Sequence, residues 1–93
     1  MDVRRLRRTL VGKLGGEEDR RGHHVFFYFE VDGQAYGGAK LSHSAKGQLH
    51  DSIVLSIARK LKLNSSELDA AVSCQLEREA FENILRTRPR QTN

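Results

Sequence analysis

The feature that most constrains the fold is a pair of strand-like segments joined by the dipeptide Asp32-Gly33. From His24 to Val31, β-branched and aromatic residues dominate, and alternate positions fall on opposite faces of a strand. One face would carry Val25, Phe27, Phe29 and Val31, and the other Phe26, Tyr28 and Glu30. An Asp-Gly pair is favoured in two-residue hairpins because both central residues need a positive φ. The segment Gln34 to Leu41 is therefore predicted to return antiparallel.

The segment before this hairpin is polar. Glu17 to Arg21 forms at most a short edge strand, and Gly22 is a suitable turn residue between it and the next strand. The sequence therefore predicts a meander of two or three strands.

Amphipathic helices are predicted on both sides of the strands. Residues 2–14 carry an apolar stripe at steps of three and four, formed by Val3, Leu6, Leu10 and Leu14. Gly15 and Gly16 end this helix, because glycine adopts the left-handed conformation that closes a last turn. A second helix follows Leu49, is supported by Asp51 in its first turn and ends near Leu63 and Asn64.

A third helix is predicted from a cap at Ser65 or Ser66 to about Arg86, with Pro89 preventing any continuation. Its apolar residues project in two directions, with Leu68, Val72 and Leu76 on one side and Cys74, Phe81 and Leu85 nearly opposite. Either this helix bends, or its second half contacts something else. We expect Phe81 and Leu85 to form a homodimer contact.

The order of elements predicts an α+β fold: a helix, a two- to three-stranded antiparallel sheet, a second helix and an extra C-terminal helix. This is the core order of the double-stranded-RNA-binding fold. Residues 1–88 would form one domain, of which 65–88 is the additional C-terminal helix, and 89–93 a flexible tail.

Composition limits the classes of function. The 93 residues contain no apolar run long enough to cross a bilayer, so no membrane association is expected. Sixteen Lys and Arg against twelve Asp and Glu give a net charge of +4, which favours anionic partners or is ordinary solubilising charge. A single cysteine excludes an internal disulfide, and the start MDVRRLRRTL does not resemble a signal peptide. A cytoplasmic location is expected.

The stretch RRGHHVFFYF, from Arg20 to Phe29, could hold a reactive histidine. Histidine titrates nearest to neutral pH, so it can take a proton from one oxygen and return it to another. In RNA, a deprotonated 2′-hydroxyl attacks the neighbouring phosphate, and arginines stabilise the charge that develops. His23 is therefore the candidate catalytic residue. The alternative is that His23 and His24 are simply the polar start of a strand.

The candidate nucleic-acid contacts are cations and histidines around this stretch. On the first helix Arg4, Arg5 and Arg8 point away from the apolar stripe. The predicted binding set comprises Arg4, Arg5, Arg8, Arg20, Arg21, His24, Lys40 and His43. Phe26 and Tyr28 share a strand face and would either stack with unpaired bases or be covered by a partner.

Other chemistries have weaker support in the sequence. His23, His24, His43 and His50 could ligate a metal, but neither Cys-x-x-Cys nor His-Glu-x-x-His is present. We therefore expect no metal and no cofactor. Cys74 lacks any sign of a partner base, and we expect it to be a small apolar residue at an interface.

The stretch RRGHHVFFYFEVDGQAYGGAKLSHSAKGQLHDSIVLSIARKLKLNSSEL resembles the HicA (YcfA-like) family of small bacterial toxins. Gly22-His23 corresponds to the family's small residue and histidine at the turn into the second strand. Leu41-Ser42-His43 corresponds to its proline-x-histidine at the end of the third strand. The similarity covers roughly residues 3–68, and the histidine turn and the spacing from hairpin to helix are its specific parts.

The resemblance implies the toxin of a toxin-antitoxin pair: a metal-independent endoribonuclease that cleaves mRNA with a single catalytic histidine, His23, and is covered by a HicB-type antitoxin protein. The sequence departs from the family pattern in that Arg21 replaces a glycine, Leu41 replaces a proline, and His50-Asp51 stands where glycine and threonine are common. Arg21 would either distort the turn or contact the scissile phosphate through its guanidinium, and we favour the contact. The alternative function is a non-catalytic nucleic-acid-binding module of the same fold.

Overall fold

A computed structural model describes residues 1–73 and 75–89. A three-stranded antiparallel sheet has the order β1-β2-β3, and the helices pack against one of its faces. The strands are β1 (Glu17–Arg21), β2 (His24–Val31) and β3 (Gln34–Ser42). The helices in the described ranges are α1 (Val3–Arg8), α2 (Asp51–Lys60), α3 (Ser65–Val72) and α4 (Arg78–Thr87). The fold is therefore α+β, as the sequence predicts.

The β2–β3 hairpin turns at Asp32-Gly33, where φ is 54° and 78°, as the Asp-Gly signal predicts. A β-bulge interrupts the pairing, because Phe27 pairs with Ala39 whereas Tyr28 pairs with Gly37. Gly37 has a φ of 112°, and a Cβ there would lie 2.7 Å from the Phe27 carbonyl oxygen. Glycine is therefore required at this position.

The predicted apolar stripe of the first helix is buried, but the helix is not α-helical throughout. Val3, Leu6, Leu10 and Leu14 are all in the core. After α1, residues Thr9–Lys13 form a π-helix, in which the Leu14 N–H donates to the Thr9 carbonyl at 2.9 Å. The Thr9 hydroxyl donates to the Arg5 carbonyl at 2.9 Å, so a side chain competes for a backbone acceptor where the change occurs.

The prediction of one helix from residue 65 to 86 is wrong, because the chain forms α3 and α4 with a break after Val72. Leu68 on α3 and Phe81 and Leu85 on α4 are all fully buried. Two apolar faces that point in opposite directions on a straight helix can reach one core only if the helix is interrupted. The Phe81 ring packs edge-on against Phe29, with centroids 5.0 Å apart.

Two further expectations about this region need correction. Phe81 and Leu85 are buried within the single chain, so they offer no surface for a homodimer. Helix α3 is capped by Asn64 rather than by Ser65 or Ser66. The Asn64 side chain accepts from the Glu67 N–H at 2.8 Å, and the Glu67 carboxylate accepts from the Asn64 N–H at 3.0 Å. Cys74 and residues 90–93 of the predicted tail lie outside the described residues.

The C-terminal helix is attached to the rest of the domain by cations. Lys62 donates from Nζ to the carbonyls of Leu85 and Arg88 at 3.0 and 2.7 Å, where α4 ends. The Arg88 guanidinium donates two hydrogen bonds to the Glu67 carboxylate, at 2.6 and 2.7 Å. Lys62 and Arg88 therefore have structural roles and are not available to a ligand. None of the helices in the described part of the chain is long and apolar enough to cross a bilayer.

Candidate nucleic-acid interface

A groove of about 760 Å³ lies between α1, β1 and the loop that follows β3. The start of α1 is joined to this loop, because the Val3 N–H donates to the Gly47 carbonyl at 2.9 Å and Asp2 pairs with Gln48. The groove is lined by Asp2, Val3, Arg4, Arg7, Arg8, Val11, Glu18, Ala45, Lys46 and Gly47.

The groove has an excess of positive charge, since four of its lining residues are cationic and two are acidic. Glu18 is bound by Arg7, whose Nη2 lies 2.9 and 3.1 Å from the two carboxylate oxygens. Asp2 accepts from the Arg5 N–H at 2.9 Å and so caps α1. Within residues 1–73 and 75–89, Arg4, Arg8 and Lys46 form no ion pair. These three exposed cations can therefore contact phosphates.

The predicted arginines do not all belong to this groove. On a helix that advances about 100° per residue, Arg4 and Arg8 lie on one flank, and Arg5 lies outside the lining. Arg20 is two residues beyond Glu18 on β1, so it faces the same side of the sheet as Glu18. Arg20 is not among the residues that line the groove.

His23 occupies the second position of the two-residue turn between β1 and β2, where Arg21 pairs with His24. Gly22 precedes it with a φ of 59°, as in hairpin turns that begin with glycine. His23 is exposed, and its carbonyl accepts a hydrogen bond from the His43 N–H at 2.6 Å. The structure therefore brings His23 and His43 together at one end of the sheet.

A short loop connects the two histidines to the groove. From His43 the chain passes through Ala45 to Lys46 and Gly47, which line the groove and bind the start of α1. The side chain of His23 forms no hydrogen bond with any side chain of the described ranges. Its imidazole is therefore accessible to a ligand.

Arg21, His24 and Lys40 lie on the opposite face of the sheet, which we call the outer face. Arg21 pairs with His24, and Lys40 pairs with Phe26. The Arg21 Nε donates to the Asp19 carboxylate at 2.8 Å, and this hydrogen bond raises the pKa of the guanidinium. The expected contact of Arg21 with a phosphate would have to displace Asp19. The turn itself is undistorted, because the strand pairing continues to Arg21.

The outer face also carries the aromatic residues of β2. The rings of Phe26 and Tyr28 are 6.4 Å apart with an interplanar angle of 20°, and both side chains are half-buried. Three carboxylates share this face with Arg21 and Lys40, and they belong to Glu17, Asp19 and Glu30. A surface with this mixture of charges attracts a polyanion less than the groove does.

The structure does not bring the candidate metal ligands of the described residues together. No group of three or more histidine, cysteine, aspartate or glutamate side chains in the described part of the chain could hold a metal ion. His50 caps α2, since its Nδ1 accepts from the Ser52 N–H at 3.2 Å. Cys74 lies outside the described residues.

Lys46 is the site residue that the sequence did not indicate. It lies in an irregular loop between β3 and α2, where no periodic pattern relates it to other residues. Only the pairing of that loop with the start of α1 brings it beside Arg4 and Arg8.

Comparison with models of known protein families, with curated proteins and with solved structures found no match to this chain. The similarity to HicA toxins therefore depends on the residues and motifs described above.

Proposed function

We propose that the protein is a metal-independent endoribonuclease of the HicA toxin type, which binds RNA in the basic groove and cleaves it with His23. The observation that carries this proposal is the exposed imidazole of His23, held on the turn between β1 and β2 and joined through His43 to the loop that lines the groove. The cations Arg4, Arg8 and Lys46 supply the phosphate contacts that positioning an RNA strand requires.

The proposed reaction uses the RNA's own nucleophile. His23 takes the proton from a ribose 2′-hydroxyl, and the 2′-oxygen attacks the adjacent phosphorus. The bond from phosphorus to the 5′-oxygen breaks, which leaves a cyclic phosphate and a 5′-hydroxyl end. Nearby cations stabilise the negative charge that develops on the phosphoryl oxygens.

Cleavage of mRNA in EDTA tests this proposal. We expect the wild-type protein to cut, His23→Ala to lose most of its activity, and His24→Ala to cut like wild type. His24 is a matched control, because it is the adjacent histidine but lies on the outer face. If the wild-type protein does not cut, or if His23→Ala cuts equally well, the assignment fails.

The proposed partners are mRNA and an antitoxin of the HicB type that covers the groove and His23, and the proposed location is the cytoplasm. An antitoxin that covers these residues should protect Lys46 from chemical acetylation in the complex but leave Lys40 reactive, since Lys40 lies on the outer face. Equal reactivity of both lysines in the free protein and in the complex would contradict this placement.

A non-catalytic RNA-binding module is the second candidate, and the Arg21–Asp19 ion pair favours it. The Arg21 guanidinium, adjacent to the turn, is already bound to the Asp19 carboxylate, so it is less able to stabilise the negative charge of a transition state. This candidate predicts binding that weakens with salt, with intact RNA recovered afterwards. A wild-type protein that binds RNA without cutting it would select this function over the nuclease.

A further inference from the structure

His23 and His43 form a pair at the end of the β2–β3 ladder. His24 pairs with Ser42, and one step further the His43 N–H donates to the His23 carbonyl at 2.6 Å. Both residues are exposed. Because this backbone hydrogen bond joins the two exposed residues at one end of the sheet, one phosphodiester bound there can be contacted by both imidazoles.

The loop that begins at His43 connects the pair to the groove. β3 ends at Ser42, and Lys46 and Gly47, in the same loop, line the groove. Ser42 and His24, the strand residues next to the pair, belong to the outer face. The charged groups nearest to the pair along the chain are Arg20, Arg21 and Asp19 on β1, and Lys46 in the following loop. The Asp19 carboxylate is bound by Arg21, so it is not free to bind the histidines in place of a phosphate.

From this juxtaposition we propose that His43 is a second catalytic histidine, which acts as the general acid of the cleavage reaction. The inference rests on the proposed function. Metal-free cleavage needs two proton transfers, one from the attacking 2′-hydroxyl and one to the departing 5′-oxygen. A single imidazole on one side of the phosphorus serves the attack, whereas the departing oxygen leaves on the opposite side.

In the proposed step each histidine transfers one proton. Neutral His23 receives the proton of the 2′-hydroxyl while the bond between the 2′-oxygen and phosphorus forms. The bond between phosphorus and the 5′-oxygen breaks, and the 5′-oxygen takes a proton from the His43 imidazolium. His23 then carries the proton and His43 is neutral, and exchange with solvent restores both.

A pair of short RNA substrates tests the role of His43. One has the ordinary 5′-oxygen at the cleavage position, and the other has a 5′-sulfur, which leaves without needing a proton. We expect His43→Ala to cut the oxygen substrate at least about 100-fold more slowly than wild type and the sulfur substrate at nearly the wild-type rate. His23→Ala should be slow on both, and His24→Ala should cut both normally.

Each other outcome identifies what is wrong. Normal cutting of the oxygen substrate by His43→Ala overturns the general-acid role, and the proposed function stands if His23→Ala is inactive. Equal loss on both substrates also overturns it, because a structural role would give that result; His43→Gln and RNA binding by the variants check folding. If the wild-type protein cuts neither substrate, the proposed function fails and the role of His43 fails with it.

Discussion

The two faces of the sheet differ in what they carry, although they are built from alternate residues of the same strands. The groove side has buried apolar residues and, at its edge, three cations without an ion pair, all within the described ranges. The outer face has half-buried aromatic rings among carboxylates and bases. Residues that are neighbours in sequence therefore need not belong to the same site. Arg20 and Arg21 are adjacent in the chain but fall on opposite sides of the sheet.

The largest expected effect distinguishes the two faces by stability. Phe27→Ala removes a fully buried ring and should lower the free energy of unfolding by about 3–5 kcal/mol. Phe26→Ala removes a half-buried ring from the outer face and should cost roughly 1 kcal/mol. Urea denaturation of both variants measures the difference. Similar losses would mean that the outer face is covered as completely as the inner one.

The next effect distinguishes the faces by RNA binding. Replacing Arg4 and Arg8 by Gln should weaken binding and reduce the slope of log affinity against log salt by roughly 0.7 for each phosphate of a single strand that is no longer neutralised. Replacing Arg21 and Lys40 by Gln removes the same charge from the outer face and should change the slope little. Fluorescence anisotropy titrations at several salt concentrations measure both slopes. A larger change for the outer pair would move the interface to that face.

The smallest expected effect compares an ion pair among the helices with an ion pair on the outer face of the sheet. Glu67 is bonded by Arg88, chiefly through hydrogen bonds that lower the pKa of the carboxyl against a smaller opposing effect of burial. Glu67→Gln should lower the free energy of unfolding at pH 7 by about 0.5–1 kcal/mol, a figure reduced for solvent screening because both groups are partly exposed. Asp19→Asn, in the more exposed pair with Arg21, should leave the denaturation midpoint unchanged.

The pH dependence of the Glu67 variant has a definite sign. Because folding lowers the pKa of Glu67, the stabilisation is fully present above the unfolded-state pKa of about 4.3 and is lost as pH falls through the folded-state pKa. Wild type and Glu67→Gln should therefore differ in stability at neutral pH and converge in acid. A constant difference from pH 7 to pH 3 would contradict an ionic contribution.

Local sequence patterns were sufficient to predict those elements whose conformation and buried face depend on their own residues. The alternation from Val25 to Val31 predicts which side of β2 is buried, because strand side chains alternate regardless of what covers them. Asp32-Gly33 predicts the hairpin, since few other dipeptides tolerate two positive φ values. The stripe from Val3 to Leu14 predicts the buried face of the first helix.

Contacts between distant segments decided the remaining features. The break between α3 and α4 arises because Leu68 and Phe81 must reach the same core. The spacing of apolar residues along the chain does not show that the helix must be interrupted for this to happen. The pairing of His23 with His43, and the position of Lys46 beside Arg4, depend on which strand ends and loops meet in space. Sequence periodicity records which face a residue occupies, whereas the convergence of several faces on one site is a property of long-range packing.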